Sequence, residues 1–264
     1  MTYATFHLIF TLPALLVAGW FGARPPGDEN RLPLTRWGVV LLALIAFVYT
    51  TPWDAELIER GVWFYGEGVV TATVNGIPLG EYAFFIIQSV LAGFILHALA
   101  RRLPNALGAD MPPTFGEQQA RWAGIGIALQ LTLFGILCLT HPPTFYLGAI
   151  LAWAGPVLLF QWAVGGHYLW RMRGILSGAV FIATAWLWLV DRIAIGMGLW
   201  QFSPELTTGL AFFGLPIEEA AFFLVTNIMV GQGLVLYYQA VLAWNPQASL
   251  ARNLALLTNG HAEG

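Results

Sequence analysis

Seven runs of apolar side chains leave this sequence little choice of fold. As helices, runs of about 20 residues cross the hydrocarbon core of a bilayer. They lie near residues 3–21, 37–51, 79–99, 122–139, 145–164, 175–195 and 217–244. The second run is short. The seventh is long enough to tilt or to project from the bilayer. Loops rich in proline, glycine and polar residues separate them, as over 23–35 and 104–119. Only 9% of residues are charged against 58% hydrophobic, too few charges to cover a soluble domain. The fold class is therefore all-α: a polytopic membrane protein with seven transmembrane helices, and a lipid bilayer as its partner. A net charge of -3 offers no footprint for nucleic acid, and the single Cys138 excludes an internal disulfide framework. No basic residue precedes the first run, which reads as a retained span rather than a cleaved signal.

Arginine placement predicts the orientation, because basic residues favour the cytoplasmic side. Arg24, Arg31, Arg36, Arg101, Arg102, Arg121, Arg171, Arg173 and Arg252 fall on one side, and Arg60 and Arg192 on the other. That places the N-terminus outside and the C-terminus in the cytoplasm of a cell (inner) membrane. The acidic residues do the reverse. Asp54, Glu56, Glu59, Glu67, Glu81, Asp191, Glu205, Glu218 and Glu219 map at or near the non-cytoplasmic ends of the spans.

An internal repeat gives that concentration a reason. Asp54 precedes Trp63-Phe64-Tyr65 by nine residues, and Asp191 precedes Trp200-Gln201-Phe202 by nine. Glu81 follows Asp54 by 27 residues and Glu219 follows Asp191 by 28, each with a Phe-Phe pair starting three residues on. The predicted organisation is a first repeat over 1–104, a connector with the fourth span over 105–142, a second repeat over 143–245 and a cytoplasmic tail over 246–264. The offset of four spans is even, so both repeats point the same way and both acidic sets reach one face of the bundle.

The ionisable set is Asp54 with Glu81 in one repeat, and Asp191 with Glu218 and Glu219 in the other. Pro216 suits the first position of a helix, which puts Glu218 and Glu219 in its first turn. At helical spacing Glu219, Phe222, Phe223 and Thr226 share a face, as do Glu81, Phe84, Phe85 and Gln88. A carboxyl group withdrawn from water beside another is suited to act as a Brønsted acid. Aromatic faces stabilise a nearby positive charge. Either glutamate taken singly is as readily a residue that offsets the helix dipole. The repeated aspartate and the repeated aromatic spacing go beyond what capping requires, and ionisable residues within spans default to function. A local Asp191–Arg192 ion pair competes for Asp191. Trp53, Trp63 and Trp200 read as interface-belt residues, with Trp63 and Trp200 also candidates for a substrate wall. His7, His97, His141, His167 and His261 show no metal-ligand spacing, and the paired glycines at 124–126 and 196–198 lack a dinucleotide fingerprint. No metal and no cofactor is expected.

At Pro216-Ile217-Glu218-Glu219 and Pro78-Leu79-Gly80-Glu81 the sequence resembles the small membrane lycopene cyclases, in a form that fuses both halves. Their hallmark is Pro-X-Glu-Glu/Asp near the start of a helix, once in each half. The second motif fits fully; the first carries Gly80 where an acid would stand. The resemblance implies a cofactor-independent isomerase, a lycopene β-cyclase acting in carotenoid biosynthesis. Its partners would be lycopene or a related acyclic carotenoid, and other enzymes of that pathway. A carboxylic acid protonates the terminal double bond, an internal double bond closes a six-membered ring on the cation, and a base removes a proton. Glu219 or Glu218 is then the acid, with Glu81 its counterpart. Asp191 and Asp54 are charge stabilisers or bases, and Phe222, Phe223, Phe84 and Phe85 line the cation pocket. Two alternatives stay open: a carotenoid hydratase that traps the same cation with water, and a carotenoid-binding or proton-coupled membrane transporter. A seven-span retinal protein is excluded, since all eleven basic residues are arginine and none is the lysine a Schiff base needs.

Overall fold

The computed structural model describes residues 1–25, 37–101 and 112–243. The tail predicted over 246–264 lies outside the described residues, as do Arg31, Arg36, Arg102 and Arg252 and parts of the two loops named above. Each of the seven runs contains one helix long and apolar enough to cross a membrane: α1 Tyr3–Gly22, α2 Gly38–Glu59, α3 Leu79–Ala100, α4 Phe115–Cys138, α5 Phe145–Arg171, α6 Arg173–Gly196 and α7 Ile217–Ala243.

The second span is not short. Helix α2 continues through Pro52 to Glu59. Proline removes one ladder hydrogen bond and crowds the preceding turn, but a helix packed among neighbours in a membrane tolerates it. Asp54 consequently lies inside the helix, more than a turn before its end. Helix α4 starts earlier than the apolar pattern, because Thr114 and Glu117 close a reciprocal capping box at its N-terminus. Helix α1 contains a π-helical stretch at His7–Thr11.

The all-α prediction also missed a set of short strands. Strands β2 (Thr73–Val74) and β3 (Ile77–Pro78) form one hairpin, and β5 (Ala211–Phe212) and β6 (Leu215–Pro216) form another. Both turns use two residues with positive φ, Asn75 and Gly76 in the first and Phe213 and Gly214 in the second. Such turns match the twist of paired strands. Each hairpin delivers its chain into the proline that opens α3 or α7. Strand β1 (Trp63–Tyr65) pairs antiparallel with β4 (Trp200–Phe202), with Trp63 opposite Phe202 and Tyr65 opposite Trp200. Two further bonds extend the pair, Gly66 N–H to Leu199 O at 2.9 Å and Ser203 N–H to Val62 O at 2.8 Å. The ends of both chain halves are thus joined by backbone.

Helix α3 packs on α1 and α2, α7 packs on α5 and α6, and α3 meets α6 and α7 at the centre. The α4–α5 hairpin flanks them. Polar side chains join the central helices: Gln88 donates to Thr226 Oγ1, and Asn227 donates to Thr184 Oγ1 at 3.0 Å. Matching backbone bonds recur along the chain. Tyr3 N–H reaches Val69 O and Tyr146 N–H reaches Leu206 O; Leu79 N–H reaches Ala72 O and Ile217 N–H reaches Leu210 O. This frame gathers the ends of α2 and α6 and the first turns of α3 and α7 beneath the β1–β4 ribbon.

Candidate active site: a carboxyl-lined aromatic chamber

Asp54, Glu81, Asp191 and Glu219 all line one chamber. It encloses about 630 Å³ of space unfilled by protein atoms, part of it open to the outside. Phe84, Phe85, Phe222, Phe223, Trp63 and Trp200 line it as well. Four carboxyl groups from two halves of the chain therefore share one apolar, aromatic enclosure. Asp54 and Asp191 are 3% and 4% exposed and Glu219 is 6% exposed.

Each glutamate is held by a phenol. Tyr146, in the first turn of α5, donates to Glu219 Oε1 at 2.6 Å. Tyr65, at the end of β1, donates to Glu81 Oε1 at 2.7 Å, and receives the Trp63 indole N–H at 3.0 Å. Burial, with the Glu81 charge beside it, holds the Tyr65 phenol well above the usual tyrosine range, so it stays a donor. Trp200 donates its indole N–H to Asp191 Oδ1 at 2.9 Å. The Oδ2 atoms of both Asp54 and Asp191 are buried without a hydrogen-bond partner. Ion pairs among the described residues are Arg60–Glu56 and Arg171–Glu117, so no cation offsets the chamber carboxyls. Burying a charge without a partner costs several kcal/mol, and groups placed so are seldom structural.

The rings form a continuous wall. Phe84 meets Phe223 edge-on at 5.9 Å, joining α3 to α7. Trp53 stacks on Phe222 at 5.7 Å with planes 5° apart. A cation formed between them would face ring surfaces carrying negative quadrupole density.

Three sequence readings need correction. Glu218, expected beside Glu219 as a candidate acid, points away from the chamber. It is fully buried, and its Oε1 accepts from Thr208 N–H at 2.7 Å and Thr208 Oγ1 at 2.8 Å. It fastens the loop before β5 to α7, because consecutive helical side chains point in directions about 100° apart. The Asp191–Arg192 ion pair is not formed: Arg192 Nε donates to Phe213 O at 3.0 Å, and Asp191 turns inward to Trp200. Trp53, Trp63 and Trp200, read as belt residues, all line the chamber.

The structure also accounts for Gly80. A Cβ at that position would sit 2.3 Å from the Tyr3 ring, and His7 hydrogen-bonds the Gly80 carbonyl through Nε2 at 3.0 Å. The space an acidic side chain would need is taken by α1. Tyr3 and Phe6 both reach the chamber, and Tyr3 stacks on His7 at 4.7 Å. Sequence reasoning missed Tyr3, Tyr65 and Tyr146. A tyrosine just inside the first span of each half, Tyr3 and Tyr146, was the signal available.

Seven helices long and apolar enough to cross a membrane, gathered around buried carboxyls and aromatic faces, define a polytopic membrane protein with an apolar, carboxyl-lined chamber. Among curated proteins the chain is 43% identical over 247 residues to lycopene beta-cyclase of Halobacterium salinarum, covering 92% of this chain and 98% of that protein. It is 34% and 33% identical to the bifunctional lycopene cyclase/phytoene synthases of Podospora anserina and Neurospora crassa, over 90% of this chain and 40% of theirs. The chain belongs to the membrane lycopene β-cyclase family. No family profile matches the chain, and no solved structure matches it.

Proposed function

We propose that this protein is a lycopene β-cyclase that closes β-ionone rings on the acyclic ends of lycopene, without a cofactor. The observation that carries the reading is the meeting of Glu81, Glu219, Asp54 and Asp191 in one aromatic chamber. Glu219 is the proton donor. Tyr146 holds its Oε1, which leaves Oε2 to carry the proton toward the terminal double bond of the substrate. Protonation gives a tertiary cation beside the Phe222 and Phe223 rings. The internal double bond attacks that cation and closes a six-membered ring, moving the positive charge onto the ring. A carboxylate removes a ring-adjacent proton, and a new double bond forms. One proton is gained and one lost, so substrate and product are isomers.

The unpaired Oδ2 of Asp191 and of Asp54 supports their assignment as bases or charge stabilisers. Glu81, held by Tyr65, is the matching acid of the first half. The two halves are three-helix repeats related by a pseudo-twofold axis through the β1–β4 ribbon; the matched backbone bonds support this. The same repeats are the units of the domain division over 1–104 and 143–245, with the chamber toward the non-cytoplasmic side and the N-terminus outside. Partners are lycopene or a related acyclic carotenoid, the surrounding lipid, and other enzymes of carotenoid synthesis.

Expression in lycopene-accumulating cells, with the pigment identified by chromatography and mass, tests the activity. Cyclic product of unchanged mass supports it. Unaltered lycopene, or a product heavier by one water, refutes it.

A further inference from the structure

A second cavity lies directly beside the chamber, deeper along the helices. It runs between α2 and α5 over a floor of α3 and α7, and encloses about 710 Å³ of unfilled space, part of it open. Phe85 and Phe222 line both cavities, so the two share a wall rather than standing apart. Along α7 the groove extends from Phe222 to Val230, roughly 12 Å at the rise of a helix. Its mouth lies at the lipid-facing surface, where Ile45 and Tyr49 are 50% and 39% exposed.

Flat rings lead from this groove into the chamber. Tyr49 stacks on Trp153 at 5.3 Å, Trp153 on Trp53 at 4.7 Å, and Trp53 on Phe222 at 5.7 Å. Two side-chain bonds bridge α2 to α5 across the gap: Tyr49 OH to Trp153 O at 2.9 Å, and Trp53 Nε1–H to Ala149 O at 3.2 Å.

We infer that the groove between α2 and α5 is the binding site for the linear conjugated chain of the carotenoid, and its mouth the lateral portal from the bilayer. This rests on the reading that a carotenoid end group occupies the chamber. An apolar end small enough for the chamber is attached to a long, flat, rigid chain that must leave it somewhere. The groove offers a continuous apolar path from the chamber wall to the exposed helix surface, and it is walled by stacked ring faces.

The test uses the full chain purified from lycopene-producing cells and held in lipid nanodiscs. Ile45→Trp narrows the mouth from an exposed position that packing does not constrain, and Val157→Trp fills the groove wall. Leu44→Trp, on the exposed face beside Ile45, is the control. Carotenoid retained per protein and conversion of added lycopene are both measured. The groove assignment predicts that Ile45→Trp and Val157→Trp each lower retention and conversion at least tenfold, while Leu44→Trp changes neither by more than twofold. Retention kept near that of the unaltered chain in Ile45→Trp overturns it, whatever Val157→Trp does. An equal loss in Leu44→Trp overturns it as well. If the unaltered chain retains lycopene in a groove-dependent way yet never converts it, the cyclase reading fails and the groove stands.

Discussion

Glu218 and Glu219 are neighbours in sequence and separate in their contacts. Glu219 meets Tyr146 and the chamber, and Glu218 meets Thr208. Glu219→Gln should leave a folded protein of unchanged thermal stability whose cyclisation rate falls about 10²-fold or more, the usual weight of a general acid. Rates of ring formation in nanodiscs decide it, and a normal yield from Glu219→Gln would remove the assignment. Glu218→Gln keeps an acceptor for Thr208 and should retain activity within a fewfold. Glu218→Ala strands a buried donor and should cost about 1–3 kcal/mol in a thermal-melt series. At this scale the sequence exposed the aspartates, glutamates and phenylalanines, because the repeat printed each of them twice. It did not expose Tyr65, whose counterpart by position in the repeat is Phe202, so no repeated residue marked it. Nor could it say which of two adjacent glutamates faces inward. That depends on the entry angle of α7, set by the β5–β6 hairpin.

Those hairpins are the elements that aim the acids, and their two turns are unequal. Asn75 tolerates positive φ, whereas Phe213 holds φ 50° with a bulky side chain that is 86% exposed. Phe213→Asn should therefore stabilise the fold by about 1 kcal/mol, by relieving left-handed strain without losing burial. A melting temperature that stays level or drops would contradict the strain argument. Helix α3 carries a different constraint, the contact of Gly80 with Tyr3. Gly80→Glu, which completes the acidic pair on paper, should reduce both yield and activity because Tyr3 must be displaced. Comparing soluble-fraction yield and turnover of Gly80→Glu with the unaltered chain checks this, and a gain in turnover would oppose it. Elements were legible wherever apolar length decided them. The continuation of α2 through Pro52 was not, since proline ends a pattern in sequence more readily than a packed helix in a membrane. The six short strands were hidden for another reason. Two- and three-residue pairings leave no periodicity, and the partner of β1 lies in the other half of the chain.

For the molecule as a whole, the fold brings two distant acidic sets to one end of the bundle and closes them under a shared ribbon. The spacing of Asp54, Glu81, Asp191 and Glu219 made a common face legible, but not the chamber, whose walls include Tyr3 and Tyr146 from the first spans of both halves. The proposed mechanism requires that a chamber carboxyl add a proton to carbon and that a second carboxyl remove one. Conversion of lycopene by the purified protein in D₂O, followed by mass spectrometry, tests this most directly. Cyclic product with one deuterium for every ring formed, and with the mass of lycopene when made in ordinary water, is the predicted result. Cyclic product free of deuterium, or product carrying an added water, would contradict it.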